Sequence, residues 1–258
     1  MGVLRRTILT ALPKFLVSRT TGALARIPIP RWARGPIFRG FARRYGANLE
    51  EMVGSPADYR SMSAFFRRAL VKGARPLDPD APLVWPCDGK VITTGSIEGG
   101  RITQVKGQDY SVAQLLQDSK LAEELATGHQ ATVYLAPGDY HRVHSPFAGE
   151  LLGTSHIRGA LFPVNPGAVD SIPELFPRNE RVVFRFRLPE DSTAVVVMVS
   201  ALNVGDTKLT AAPGPVHRGA ELGQFGFGST TITLVSDGGP SIPELPRGQV
   251  VRCRAAMC

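Results

Sequence analysis

The sequence predicts an α+β chain: a mainly antiparallel β body preceded by a helical, basic N-terminal segment. Three patterns lead there. Short β-like runs succeed one another from Pro76 to the C-terminus. One of them, RVVFRFRL from Arg181, alternates with period two, as a strand does and a helix cannot. Helical spacing of apolar residues is concentrated near the N-terminus, so helices and strands are segregated rather than interleaved.

At the N-terminus, Leu4, Ile8, Leu9, Leu12, Phe15 and Leu16 recur at roughly helical spacing among Arg5, Arg6 and Lys14. That pattern suits a helix lying in a membrane interface. Phe38, Phe41 and Tyr45, interleaved with Arg39, Arg43 and Arg44, repeat it, and Pro13, Pro28, Pro30 and Pro36 break the segment into short pieces. A cleaved transit peptide or ordinary helices packed on the body would share this composition.

Farther along, Lys90 to Ile97, Arg101 to Lys106, Ala131 to Ala136 and Glu150 to Ile157 read as strands. In RVVFRFRL, Val182, Phe184, Phe186 and Leu188 share one face, opposite Arg181, Val183, Arg185 and Arg187, which predicts a half-buried strand with an arginine-rich outer face. TAVVVMV from Thr193 is apolar throughout and predicts a central strand covered on both sides. Thr230 to Val235 and Gln249 to Arg254 complete the series. One helix interrupts it: Ser111 caps Val112 to Thr127, with Val112, Leu115, Leu116 and Leu125 on one face and Gly128 as the stop.

The chain has 258 residues, 43% of them apolar, and a formal charge of +8. The charge is uneven. Residues 1–49 hold ten basic residues and no acid, while the remainder carries −2. A protein-wide nucleic-acid surface is therefore not expected, and residues 1–49 and 50–258 separate as segment and body. The longest stretch free of charged residues, Leu222 to Ser236, has 15 residues, short of the roughly 20 a spanning helix needs. Cys87, Cys253 and Cys258 are too few and scattered for a disulfide framework or a zinc site, and a reducing compartment is expected.

Histidine offers the first chemistry. His129, His156 and His217 have no titratable neighbour at an informative spacing. His141 and His144 sit together in DYHRVHSPF after the strand ATVYLAP, where an imidazole at a sheet rim can do acid and base work near neutral pH. No third ligand accompanies them, so no metal is expected. Asp88 lies in WPCDGKV, where Asp-Gly is by itself ordinary turn chemistry. In QFGFGSTTITL, Gly228, Ser229 and Thr230 run straight into a β pattern. The segment is not a Gly-x-Ser-x-Gly elbow, and the body lacks α/β-hydrolase alternation.

Taken together, these segments resemble the phosphatidylserine decarboxylases. CDGKV, VKGQDYSVAQLL, YLAPGDYHRVHSP, LFPVN, LFPRNERV and GQFGFGSTTITL occur in that family's order and approximate spacing. LPKFLVSRTTGALA resembles the membrane-associating region of bacterial members, which counts against a transit peptide, and YRSMSAFFRRAL followed by RPLD resembles their next segment. The resemblance covers nearly the whole chain.

It implies autocatalytic maturation. Ser229 would attack the Gly228 carbonyl and convert the peptide bond to an ester. Elimination and hydrolysis would then leave a pyruvoyl group derived from Ser229, with a β chain of residues 1–228 and an α chain of 229–258. His144 resembles the family's base, and Asp88 the carboxylate that orients it. His141 resembles the histidine linked to decarboxylation. The pyruvoyl group would serve as electron sink for conversion of phosphatidylserine to phosphatidylethanolamine and CO2, with no added cofactor or metal.

Implied partners are phosphatidylserine, an anionic membrane surface and the two chains of the cut protein. Nucleic acid is not among them, and self-association is left open. The implied location is peripheral, on the cytoplasmic side of the cell membrane. One departure stands out: Phe227 occupies the position where many bacterial members carry leucine. Competing readings are another amine-bearing lipid as substrate, a non-catalytic membrane-binding protein, and a Ser-His-Asp hydrolase, disfavoured because its serine would have to survive intact.

Overall fold

The computed structural model describes residues 24–201, 207–226 and 229–257. The predicted interfacial helix over Leu4 to Leu16 lies outside the described residues, as do Phe227 and Gly228. Helix α1 spans Arg31–Tyr45 and ends at Gly46, whose left-handed backbone (φ 72°) returns its N–H to the Ala42 carbonyl. Pro36 lies inside this helix rather than breaking it.

A short helix α2 (Met62–Phe66) follows, capped by Ser61. Then come β1 (Gly89–Ile97), β2 (Arg101–Val105), β3 (Gln108–Ser111), α3 (Val112–Leu116), α4 (Ser119–Glu124) and β4 (Gly128–Leu135). Next are β5 (Arg142–His144), β6 (Gly149–Ile157), α5 (Pro166–Ser171), α6 (Leu175–Arg178), β7 (Arg181–Arg187) and β8 (Thr193–Ser200). The chain closes with β9 (Lys208–Leu209), β10 (Gly214–Val216), β11 (Glu221–Gln224), β12 (Ser229–Ser236) and β13 (Val250–Val251).

An eight-stranded antiparallel sheet in the order β10-β6-β7-β8-β12-β4-β1-β13 forms the frame. Both faces are covered. Val183, Val195, Val197, Val199, Ile232 and Leu234 meet the helices α3 to α6 and the β2–β3 hairpin. Val182, Phe184, Phe186, Val196 and Met198 meet Val143, Leu222 and Phe225 of a second layer, the three-stranded sheet β5-β11-β9 and the residue after β11. The expected α+β organisation is present. Burial on two sides explains why β8 is apolar at nearly every position and why β12 is buried along its whole length.

Three expectations change. The single helix over Val112 to Thr127 is two helices. Ser111 does form a capping box with Gln114, but Gln117 turns left-handed (φ 50°) and the Asp118 carboxylate caps α4 by accepting from Leu121 N. The break lets Leu115 and Leu116 of one helix, and Leu121 and Leu125 around the other, join a single core.

The predicted arginine-rich outer face is divided rather than solvated. Arg181 is fully buried, because α3 and α6 cover that end of β7 and their terminal carbonyls need donors. Its guanidinium donates to the carbonyls of Gln114, Leu115, Pro177 and Asn179 at 2.6–2.8 Å. Burial brings its pKa down to about 10. Arg185 pairs with Glu124 and Arg187 with Glu150 at the more open end.

Phe38 and Phe41 turn inward, away from any bilayer. Phe38 stacks on Phe65 at 4.6 Å, and Phe41 packs edge-on against Phe65 and Phe66. This aromatic packing supplies the burial that holds α1 together through Pro36.

Arg181→Met removes four donors while keeping much of the volume. Buried carbonyls left unpaired cost ~1–3 kcal/mol each, so urea unfolding should show a loss of about 3 kcal/mol or more. A loss below about 1 kcal/mol would show that these carbonyls find other partners.

Candidate active site

Sheet register gathers the candidate residues at one end of the frame. Ser229 opens β12, opposite Leu135 of β4 and Ser200 of β8. Beyond Leu135 the chain enters the loop that carries His141, and β1 begins one residue after Asp88. Lys90 lies opposite Tyr134, so the start of β1, the end of β4 and the start of β12 coincide. Gly89 is required there by space: a Cβ would collide with the Tyr134 carbonyl.

Ser229 is fully buried, and its Oγ has no hydrogen-bond partner among the described residues; the neighbouring Thr230 hydroxyl is in the same condition. Gly228, the other half of the expected cleavage site, lies outside the described residues. Neither imidazole is hydrogen-bonded to Ser229 Oγ.

His141 is fully buried, its ring edge-on to Phe66 at 5.0 Å. Its Nδ1 lies 2.9 Å from the Asp139 carbonyl. A carbonyl can only accept, so Nδ1 carries the proton and the Nε2 lone pair is left open. That Nε2 is buried and unpartnered. The Phe225 amide, just after β11, donates to the His141 carbonyl at 2.9 Å.

His144 lies on β5, opposite Glu221. Its Nδ1 donates to the Gly219 carbonyl at 2.9 Å, and its Nε2 accepts from the Tyr140 hydroxyl at 3.1 Å. Burial raises the Tyr140 pKa, so that hydroxyl stays protonated. Arg254 donates to the same Gly219 carbonyl at 2.8 Å.

Asp88 does not orient His144 by a hydrogen bond. Its carboxylate takes Arg75 Nε at 2.8 Å and Nη2 at 2.5 Å, together with the Cys253 amide at 2.9 Å. Arg75 also bonds Glu51 at 2.9 Å. The orienting contact expected from Asp88 is supplied by the Gly219 backbone. Asp88 instead faces a crevice of about 170 Å³ lined also by Glu51, Arg68, Arg75, Asp139, Tyr140 and Arg252.

Of the remaining histidines, His156 pairs with Glu180 at the surface. Among the described residues, no cluster of three or more His, Cys, Asp or Glu side chains could hold a metal ion.

Arg68, Arg75, Tyr140 and Gly219 were not singled out from the sequence. Arg68 and Arg75 sit in the quoted segments YRSMSAFFRRAL and RPLD, but an arginine between apolar residues reads as a solvated charge until something covers it. Gly219 contributes only a carbonyl, which leaves no side-chain signal.

Dehydration governs the titration of both imidazoles. Burial pulls the pKa of each from 6.5 down to about 4, more than their carbonyl partners raise it. Both are therefore neutral at pH 7. Below pH 6.5 the unfolded chain binds protons that the folded imidazoles refuse until about pH 4, so stability is complete above this window and falls as pH drops through it. The loss by pH 5 should be about 2 kcal/mol per imidazole. Urea midpoints at pH 7.5 and pH 5 should converge in His141→Gln relative to the unaltered chain; equal acid sensitivity would contradict this account.

A family model described as phosphatidylserine decarboxylase matches residues 62–257. A phosphatidylserine decarboxylase proenzyme of Anaeromyxobacter is 41% identical over 266 residues, covering 95% of this chain and 94% of the relative. Proenzymes of the same name from Azotobacter vinelandii and Pseudomonas fluorescens are 38% and 40% identical, each over 93% of this chain and over 94% and 92% of their own. The matched span runs from the helix beside the aromatic cluster through both histidines to β12 and β13, and the chain belongs to the phosphatidylserine decarboxylase family.

Proposed function

We propose that the chain cuts itself between Gly228 and Ser229 and then decarboxylates phosphatidylserine to phosphatidylethanolamine and CO2. The supporting observation is the Ser229 hydroxyl, buried at a strand end with no partner among the described residues. Such an orphaned hydroxyl costs stability and makes sense as a reacting group. It also fits a pyruvoyl group derived from this residue.

In the cut, Ser229 Oγ adds to the Gly228 carbonyl carbon while His144 Nε2 takes the hydroxyl proton, once Tyr140 yields its place. The Gly219 carbonyl holds the opposite ring nitrogen throughout. The bond from the Gly228 carbonyl carbon to the Ser229 nitrogen then breaks, the nitrogen takes the proton to become an amine, and the acyl group remains on Oγ as an ester. Loss of the Ser229 Cα proton expels the Gly228 carboxylate, and water releases ammonia from residue 229 to leave a ketone.

A pyruvoyl group at residue 229 would supply an electron sink for the pair that departing CO2 leaves behind. His141 serves the second reaction: its open Nε2 takes a proton from the headgroup ammonium and later returns it to the carbon that lost CO2. Burial holds the His141 pKa low, and Asp88 opposes it only as the smallest of the influences on that ring. After the cut, β12 keeps residues 229–258 in place through its pairing with β4 and β8.

The lipid substrate calls for a peripheral enzyme on the cytoplasmic face of an anionic membrane. No described helix is long and apolar enough to cross a bilayer. The outward side of α1 combines Trp32, 83% exposed, with exposed Arg31, Arg39, Arg43 and Arg44, next to exposed Leu24 and Ile27. Cations and an indole on one side suit an anionic headgroup layer.

Mass measurement of the purified protein should show chains of residues 1–228 and 229–258, and CO2 should be released from phosphatidylserine. Ser229→Ala should abolish both the cut and the release, so activity in an uncut variant would exclude the proposal. His144→Ala should block cutting, whereas His141→Ala should cut normally and lose at least about a hundredfold in turnover; the reverse result would exchange their roles. In flotation with anionic vesicles, binding should weaken as salt rises, since exposed charges are screened over roughly 10 Å at 0.1 M. Equal binding to neutral vesicles would remove the electrostatic component.

A further inference from the structure

Among the described residues, Arg68 is a buried guanidinium with no carboxylate partner. It is 3% exposed. Its Nη2 donates to the carbonyls of Gly138 and Asp139 at 2.8 and 3.1 Å, and the group lies over the Phe65 ring at 5.1 Å. Its Nε and Nη1 are buried with no partner. The other charges around the crevice are accounted for: Arg75 is held by Asp88 and Glu51, and Arg252 lies near Glu51. Nearby, Arg142 pairs with Glu221. The Asp139 carboxylate is turned to the Ala136 amide, and burial raises its pKa. Among the described residues around the crevice, one cation is left over.

Its position is informative. The Asp139 carbonyl accepts both from Arg68 Nη2 and from His141 Nδ1, so guanidinium and imidazole hang on one atom. A buried charge without an ionic partner is costly, and free donors beside reacting groups are the usual mark of an anion site.

Building on the proposed decarboxylase reading, we infer that Arg68 receives the phosphodiester of the substrate headgroup and thereby sets the serine moiety against His141. The headgroup offers two anions, and the chemistry chooses between them. An arginine paired with the departing carboxylate would stabilise the ground state whose charge must be dispersed, and so slow the loss of CO2. The phosphodiester keeps its charge from substrate to product and can be held throughout. Ser229 Oγ, His141 Nε2 and the two free Arg68 donors are all shut from solvent in the uncut chain.

The test uses mature, cut enzyme carrying Arg68→Gln or Arg68→Lys, with thermal unfolding as a check of folding. KM for short-chain phosphatidylserine should rise about ten- to a hundredfold in Arg68→Gln, as expected for a lost charge-assisted hydrogen bond, with kcat changed much less and Arg68→Lys intermediate. Glycerophosphoethanolamine has the phosphodiester and no carboxylate, and its inhibition constant should rise by the same factor. A raised KM with an unchanged inhibition constant would assign Arg68 to the carboxylate. Unchanged values for both would make it structural, and tighter inhibition by inorganic phosphate than by glycerophosphoethanolamine would make it a free-phosphate site.

Should neither variant mature, hydrogen exchange on the unaltered cut enzyme decides. Glycerophosphoethanolamine should protect residues 64–70 and 136–141 while free serine does not; any other pattern overturns the assignment. Absence of CO2 release by the unaltered enzyme would refute the decarboxylase reading itself. Release with normal Arg68 variants would refute only this inference.

Discussion

The pairing of β12 between β4 and β8 is the constraint on which the rest depends. Its ladder runs from Ser229 to Ser236 against β4 and from Ser229 to Val235 against β8, in unbroken antiparallel register. A slip of one residue would turn Ile232 and Leu234 out of one core and Val235 out of the other. Two-sided burial therefore specifies the register, and the register places Ser229 at the sheet end where β1 begins and β4 releases the histidine loop.

Dehydration of that sheet end has both a cost and a use. It leaves Ser229 Oγ, His141 Nε2 and two Arg68 donors unpaired and keeps both imidazoles neutral. A sequence selected for stability alone would have filled these positions with apolar groups. Buried polar groups without partners, two of them on side chains that share the Asp139 carbonyl, are better explained by reaction than by packing.

The N-terminal helical region is mechanically tied to this end. Gly138 lets the backbone of Tyr45 and Ala47 lie directly against the histidine loop, where a Cβ would strike the Tyr45 carbonyl. Phe38 stacks on Phe65, and its neighbour in sequence, Phe66, meets the His141 ring. Helix α1 is thus two aromatic contacts from the imidazole.

Much of this was legible from residue order. The all-apolar TAVVVMV run could only be a strand covered on both sides, and the Ser111 cap followed from local hydrogen-bonding chemistry. The shared motifs brought Asp88, His141, His144 and Ser229 forward as candidates, because side-chain type and spacing are linear properties. What covers a residue is not. Arg181 read as solvated until α3 and α6 were laid over it. Phe38 and Phe41 read as lipid-facing until Phe65 and Phe66 were found beneath them. Asp88 read as the partner of His144, although Arg75 lies nearer in the fold and a backbone carbonyl answers the histidine. Linear order thus determined the main strands, the charge asymmetry and which residues are candidates, whereas tertiary structure alone decided their partners, because partnership depends on register, burial and backbone groups that every residue carries alike.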